Sequence, residues 1–351
     1  MAKGGKKEHL ARVLDSHIHN IEETLQMLER PAVSQKVDWS EVTKVGDEIS
    51  KQATVAGMLW NGEHDVKNLE SNMGVYINFL QGFLLLCHSS SAGAGPTLHA
   101  CIVASARNVV DRSIKLFKEA VSFCDSDNAN KRQTIPQLSG SVWEACDALK
   151  KTPTSNCTAI GRAITQLAVS MKDVLREMKE LKPTQHDSSD GPPTDVTDED
   201  GSFSEGDLGD DLSTEEMEIA QLATDVVTNA LTAVKEIIRF ITGLLRKSNR
   251  ESAEKEYVDS LERILGHCQE MGSELNDLGA CVYPPQEISQ MKLITKKIDE
   301  LVGNIHEAVE TLNGSPEDLY RAFTVLKNSL IKLRCAFGDV DLAPKMESLA
   351  V

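Results

Sequence analysis

Apolar residues recur at spacings of three and four along most of this chain, the period of one buried face of an α-helix. The pattern is cleanest toward the end. There Leu261, Ile264, Cys268, Met271, Leu275, Leu278 and Val282 alternate by three and four, and so do Met291, Ile294, Ile298, Leu301, Ile305, Ala308 and Leu312. A third such run carries Leu319, Phe323, Leu326, Leu330, Leu333 and Phe337. Helix stops punctuate these runs: Pro284-Pro285, then Asn313-Gly314, then a fresh start at Ser315-Pro316-Glu317-Asp318. Another helix is expected from 213 to about 247, opened by Ser213 with Glu216 three residues on, the spacing of a capping box. Upstream, six helices are expected at about 7–30, 38–60, 65–87, 96–124, 139–150 and 156–181. Pro31, Asn61-Gly62, Pro96, Pro153 and Pro183 mark several of their ends, and 89–96 reads as a flexible turn. No stretch shows the alternating period of a half-buried strand.

These elements predict an all-α protein made of two antiparallel helical bundles, the first of five to six helices and the second of four. The division expected from the sequence is 1–182 for the N-terminal bundle, 183–212 for an acidic disordered linker, and 213–351 for the C-terminal bundle with a short flexible tail. The heptad seams admit a second reading, a zipper that joins two chains. Turns of a few residues between seam-bearing helices favour packing within one chain, so a monomer is the expected state.

Charge sharpens the division. Of a net −17, thirteen acidic residues lie between Asp187 and Glu218 without a single Lys or Arg, leaving −4 for all the rest. With four Gly, two Pro and few apolar side chains, that segment cannot bury enough surface to offset its ordering entropy. Its hydroxyls sit among carboxylates. Thr197 precedes Asp198-Glu199-Asp200, Ser202 has Glu205 at +3, Ser204 has Asp207 and Ser213 has Glu216, an arrangement that suits an acidophilic kinase. At 4%, the aromatic content leaves the core to Ala, Leu, Val, Ile and Met. Lys3, Lys6 and Lys7 are the only basic cluster and form a solvated terminus, so direct nucleic-acid binding is not expected.

The chemistry of catalysis is missing. No phosphate-binding loop, nucleophile elbow or His-Glu-x-x-His occurs, and no Glu-x-x-His of a di-metal bundle. His17 and His19, two apart, point to different faces of a helix. Eight cysteines without a Cys-x-x-Cys, mostly among apolar residues, fit reduced buried thiols. No enzyme activity, cofactor or metal is expected. The start lacks an apolar signal region, position 2 is Ala, and the apolar run 75–87 is too short to span a bilayer, so a soluble intracellular protein without a membrane partner is expected.

Two short stretches carry a resemblance: Ser141-Val142-Trp143-Glu144-Ala145-Cys146, and Asp277-Leu278-Gly279-Ala280-Cys281-Val282-Tyr283-Pro284-Pro285. With the acidic segment between them, the chain resembles the cyclin-D-binding protein family, also called the GCIP or maternal Id-like family, over roughly 40–335. The resemblance implies a non-enzymatic adaptor of cytoplasm and nucleus. It would bind D-type cyclins and helix-loop-helix transcription factors and restrain cell-cycle progression. Read physically, the motif residues are structural. Trp143 is expected to anchor its short helix, with Cys146 beside it, and Tyr283-Pro284-Pro285 to fix a corner with Tyr283 either packed or exposed for recognition. Arg12-Val13-Leu14 and Arg263-Ile264-Leu265 match a cyclin-groove signature but fall within expected helices, whereas docking peptides are extended. The other class that fits such helices is a cytoskeletal or adhesion-type scaffold similar to vinculin or talin rod modules.

Overall fold

A computed structural model describes residues 2–33, 36–60, 66–123, 134–181, 212–247, 255–312 and 316–338. Most of the acidic segment, with Thr197, Ser202 and Ser204, and the expected tail lie outside the described residues. The described residues form α1 (Ala2–Gln26), a short 3-10 helix (Met27–Glu29), α2 (Trp39–Leu59), α3 (Val66–Ser90), α4 (Pro96–Phe123), α5 (Thr134–Leu149), α6 (Asn156–Lys179), α7 (Thr214–Lys247), α8 (Lys255–Cys281), α9 (Ile288–Glu310) and α10 (Glu317–Ala336). No strand occurs among them, and the protein is all-α. The ends agree with local chemistry. Asp38 accepts a hydrogen bond from the Ser40 amide at 2.8 Å and so caps α2, and hydrogen bonding to the Ser40 side chain, then to its amide, lowers the Asp38 pKa. Pro96 occupies the first turn of α4.

Two compact units result. One gathers the described residues within Met1–Ile160 and Asn249–Glu262, the other those within Gly161–Ser248 and Arg263–Val351. In the first unit α2 packs on α3 and α5, and α4 on α5. The approach of α2 and α5 is close because Gly46 leaves room. A Cβ there would lie 2.5 Å from Leu149 Cδ1. Trp39 donates its indole N–H to the Leu149 carbonyl at 2.9 Å, satisfying the last turn of α5. Inside, Phe117 meets Tyr76 edge-on at 4.8 Å, and Tyr76 shares a hydrogen bond with Ser113 at 3.0 Å.

The turn at 89–96, expected to be flexible, is instead a packed corner. Ser90, Ser91 and Gly95 are buried, and Gly93 has φ of 72°, a conformation that favours glycine. Asn156 clamps the corner, accepting from the Gly95 amide at 2.8 Å and donating to the Gly93 carbonyl at 3.0 Å. Glu262, in the opening turns of α8, then caps α4. One carboxylate oxygen accepts from the Thr97 amide at 2.9 Å and the other from the Thr97 hydroxyl at 2.6 Å. The corner is small because it must be: a Cβ on Gly95 would come within 2.6 Å of Val258 Cγ1.

In the second unit the heptad seams are buried as the period predicts. Met271, Leu275, Leu278, Ile298, Ile305, Leu326 and Leu333 are all fully enclosed. With their seams inside the chain, α8, α9 and α10 present no zipper stripe. From Gly161 onward, α6 also belongs to this unit and runs along α8. Gly272 faces Leu167 and Gly279 faces Val174, seven residues on in both helices, so the two helices run parallel there. A Cβ on Gly279 would lie 2.8 Å from Val174 Cγ1, and a β-branched side chain has few rotamers with which to yield. Gly266 of the same helix has open space around it. Gly279→Ala is therefore expected to destabilise by about 1–3 kcal/mol through overpacking, and Gly266→Ala to stabilise by roughly 0.5–1 kcal/mol through helix propensity. Urea unfolding of the two variants checks the opposite signs.

Candidate interaction surface at the Tyr-Pro-Pro turn

The two family-like stretches sit differently from one another. On α5, Val142, Ala145 and Cys146 are buried, and burial pushes the Cys146 thiol up to about 12. Trp143 is 41% exposed. The period puts Val142 and Cys146 on the buried face and leaves Trp143 partly exposed at its side. On α8, Leu278, Gly279, Cys281 and Val282 are buried while Tyr283 stands 40% exposed just past the helix end. Pro284-Pro285, joined by a cis peptide, follows before α9 begins at Ile288, so the turn is the corner the sequence predicted.

A groove of about 260 Å³ opens beside this corner between α6 and α8. Val174 and buried Met178, one turn apart on α6, face Gly279 and Ala280, and Tyr283 also lines the groove. Glu177 and Asn276 are its polar members, both exposed. Asp277 and Glu287 act on Cys281 and, after burial, add to the rise in its thiol pKa. Lys297 is held by Glu274 at 2.6 Å, and Arg176 by Asp173 at 3.3 Å.

The start of α7 is tied to the same corner. The Glu216 amide donates to Ser213 Oγ at 3.2 Å and the Ser213 amide donates to Glu216 Oε2 at 3.0 Å, the reciprocal capping box expected from the spacing. The Glu216 carbonyl accepts from Gln286 Nε2 at 2.8 Å, three residues after Tyr283. Ser213 is exposed, the one candidate phosphoacceptor among the described residues. Buried Leu212 precedes it.

Other sequence-marked residues resolve into structure. Leu14 and Leu265, the ends of the two Arg-x-Leu matches, are 4% exposed within α1 and α8 and are not presented as extended peptides. Seven described cysteines are free of disulfides, and burial drives Cys87 upward and Cys268 to about 12. His19 pairs with Glu23, while His306 stacks on Tyr320 with ring centres 4.5 Å apart. Among the described residues no group of three or more His, Cys, Asp or Glu is placed to hold a metal ion, and no helix is long and apolar enough to cross a membrane.

An all-helical chain with an exposed motif tyrosine beside a side-chain-sized groove has the make-up of a protein-interaction module. The chain is a member of the Grap2 and cyclin-D-interacting family: the family's N-terminal part matches residues 41–184 and its C-terminal part residues 196–309. Cyclin-D1-binding protein 1 homolog of Xenopus laevis is 22% identical over 227 residues, which is 64% of either chain. The match thus spans a little under two thirds of that relative's length.

The capping box yields a test. The bond from the Ser213 amide lowers the Glu216 pKa. A lowered carboxylate contributes stability above its unfolded pKa, and loses it as pH falls through the folded value. Ser213→Ala is expected to cost about 1 kcal/mol at neutral pH. Glu216→Gln keeps the cap hydroxyl and removes the titrating carboxylate, so its deficit relative to the native chain should shrink as pH falls through the folded Glu216 value. Urea melts across pH 3–7 measure it.

Proposed function

We propose that this protein is a non-enzymatic adaptor that binds a D-type cyclin. The observation that carries the reading is the match of both parts of the cyclin-D-interacting family, in order, across most of the chain. The relative's name adds the same partner class. The surface is consistent with it. Two motif aromatics are available to a partner, and most of the described ion pairs are exposed and separate.

The finer reading joins what the resemblance implies to the chain's own seams and acidic hydroxyl sites. The adaptor works as a monomer in cytoplasm and nucleus, also engages helix-loop-helix transcription factors, and restrains cell-cycle progression. Phosphorylation of the acidic segment, at Thr197, Ser202, Ser204 or Ser213, tunes it. At Ser213 a phosphate would add about −1.5 to −2 charge at the start of α7, one hydrogen-bonded step from the Tyr283 corner.

Purified full-length chain should capture a recombinant D-type cyclin in a two-component pull-down, and should stay in the supernatant when actin filaments are pelleted. Absence of cyclin capture together with co-pelleting would replace the adaptor with the cytoskeletal scaffold.

A further inference from the structure

The connector between α1 and α2 is fastened to the corner between α3 and α4 at three points. The Leu28 carbonyl accepts a hydrogen bond from the His99 ring, the Ala32 amide donates to Ser91 Oγ at 3.0 Å, and the Val37 amide donates to the Ser89 carbonyl at 3.4 Å. Ser91 Oγ in turn donates to the His88 carbonyl at 2.7 Å. Two of the three fastenings thus lead to a pair of histidines, His88 in the last turn of α3 and His99 in the first turn of α4. Each ring has an enclosed nitrogen without a hydrogen-bond partner among the described residues, Nδ1 of His88 and Nε2 of His99. His99 Nδ1 is therefore the donor to Leu28, and Nε2 carries the lone pair of a neutral imidazole. A proton on Nε2 would make a buried N–H without an acceptor, and a cation beside a second imidazole.

No carboxylate is placed to offset that charge. The corner from Ser89 to Pro96 has no titratable side chain. Glu29 and Arg30, which follow Leu28, are exposed and opposite in sign, and Lys36 acts on Asp38 at the far end of the connector. Glu262 of α8 engages Thr97 through both oxygens. His88 is the one titratable side chain from these elements that acts on the His99 ring. We propose that His88 and His99 form an acid-release latch on α1: when the imidazoles take up protons, the His99 ring turns toward water, lets go of the Leu28 carbonyl, and the connector from Leu28 to Val37 leaves the corner. Leu10, Leu14, Ile18 and Ile21 of α1 are buried and α1 packs on α3 and α4, so the latch governs access to an apolar surface. Burial holds the His99 imidazole below the ordinary histidine range; the bond to Leu28 opposes this and His88 adds to it. A histidine held low in the fold contributes stability that is fully present above its unfolded value of about 6.5 and is lost as pH falls toward the folded value. The latch is closed at neutral pH and loosens under mild acid.

Hydrogen–deuterium exchange of the full-length chain, corrected for the intrinsic effect of pH, tests the latch. Between about pH 7.5 and about pH 5.5, peptides covering 28–37 should speed up about threefold or more relative to peptides covering 106–117, the core-facing length of α4. The His99 ring protons should titrate below about 6.5 by NMR. His99→Gln keeps an N–H for the Leu28 carbonyl and takes up no proton in this range, so it should stay folded and lose the acid response. His88→Gln should move the His99 titration upward, because it removes the neighbouring positive charge. An unchanged connector in the native chain, an acid response retained in folded His99→Gln, or a His99 titration at or above about 6.5 would overturn the latch. So would equal acceleration of 28–37 and 106–117, which would mean that the whole unit opens together. If circular dichroism finds His99→Gln unfolded, His88→Gln decides: a His99 titration that does not move overturns the pairing.

Discussion

The contact of Gly279 with Val174 is the constraint from which the interaction surface follows. Without a side chain at 279, α6 can approach α8 until its Val174 methyl occupies the space a Cβ would fill. Gly272 and Leu167 repeat the arrangement one heptad earlier. Two such contacts in register hold the helices parallel. They also decide what lies at the end of the seam: Met178 beside Gly279, Ala280 exposed, and Tyr283 turned outward where the helix stops before Pro284. Larger residues at 272 and 279 would separate the helices and remove the floor. The groove thus exists because the helix pair is close, not because something is missing from the core.

The same two helices link distant parts of the sequence. α6 opens with Asn156, which holds the corner before α4, yet from Gly161 on it belongs with α7 to α10. α8 carries Glu262, which caps α4, yet from Arg263 on it belongs with α9 and α10. Each compact unit therefore takes residues from both sides of the acidic segment, and the segment connects two partners that are already engaged.

Much of this was legible in the sequence, and the reasons are local. Helix ends followed from Asp38, Pro96, Pro284 and the Ser213–Glu216 spacing, because caps and prolines act within a turn. The buried seams of α8, α9 and α10 followed from their period. Three things were not legible. Trp143 was expected to anchor its helix, but its degree of exposure was not foreseen: the period of α5 gives the buried face to Val142 and Cys146 and leaves Trp143 41% exposed. The stretch from Ser89 to Pro96 has the composition of a flexible turn, but its small residues serve a tight corner fixed by Asn156 and Glu262 from far along the chain. And periodicity says that α6 has an apolar seam without saying which helix meets it. The glycines of α8 carried that information, and only with Leu167 and Val174 opposite them does it become readable.

The central claim is that helices from both sides of the acidic segment pack together. A protease site placed near residue 200 and cut in the native protein tests it most directly, followed by size-exclusion chromatography without denaturant. The account predicts that the two pieces co-elute as one particle of the uncut size, held by α6 on α8 and by Glu262 on α4. Two separately eluting folded pieces would contradict it.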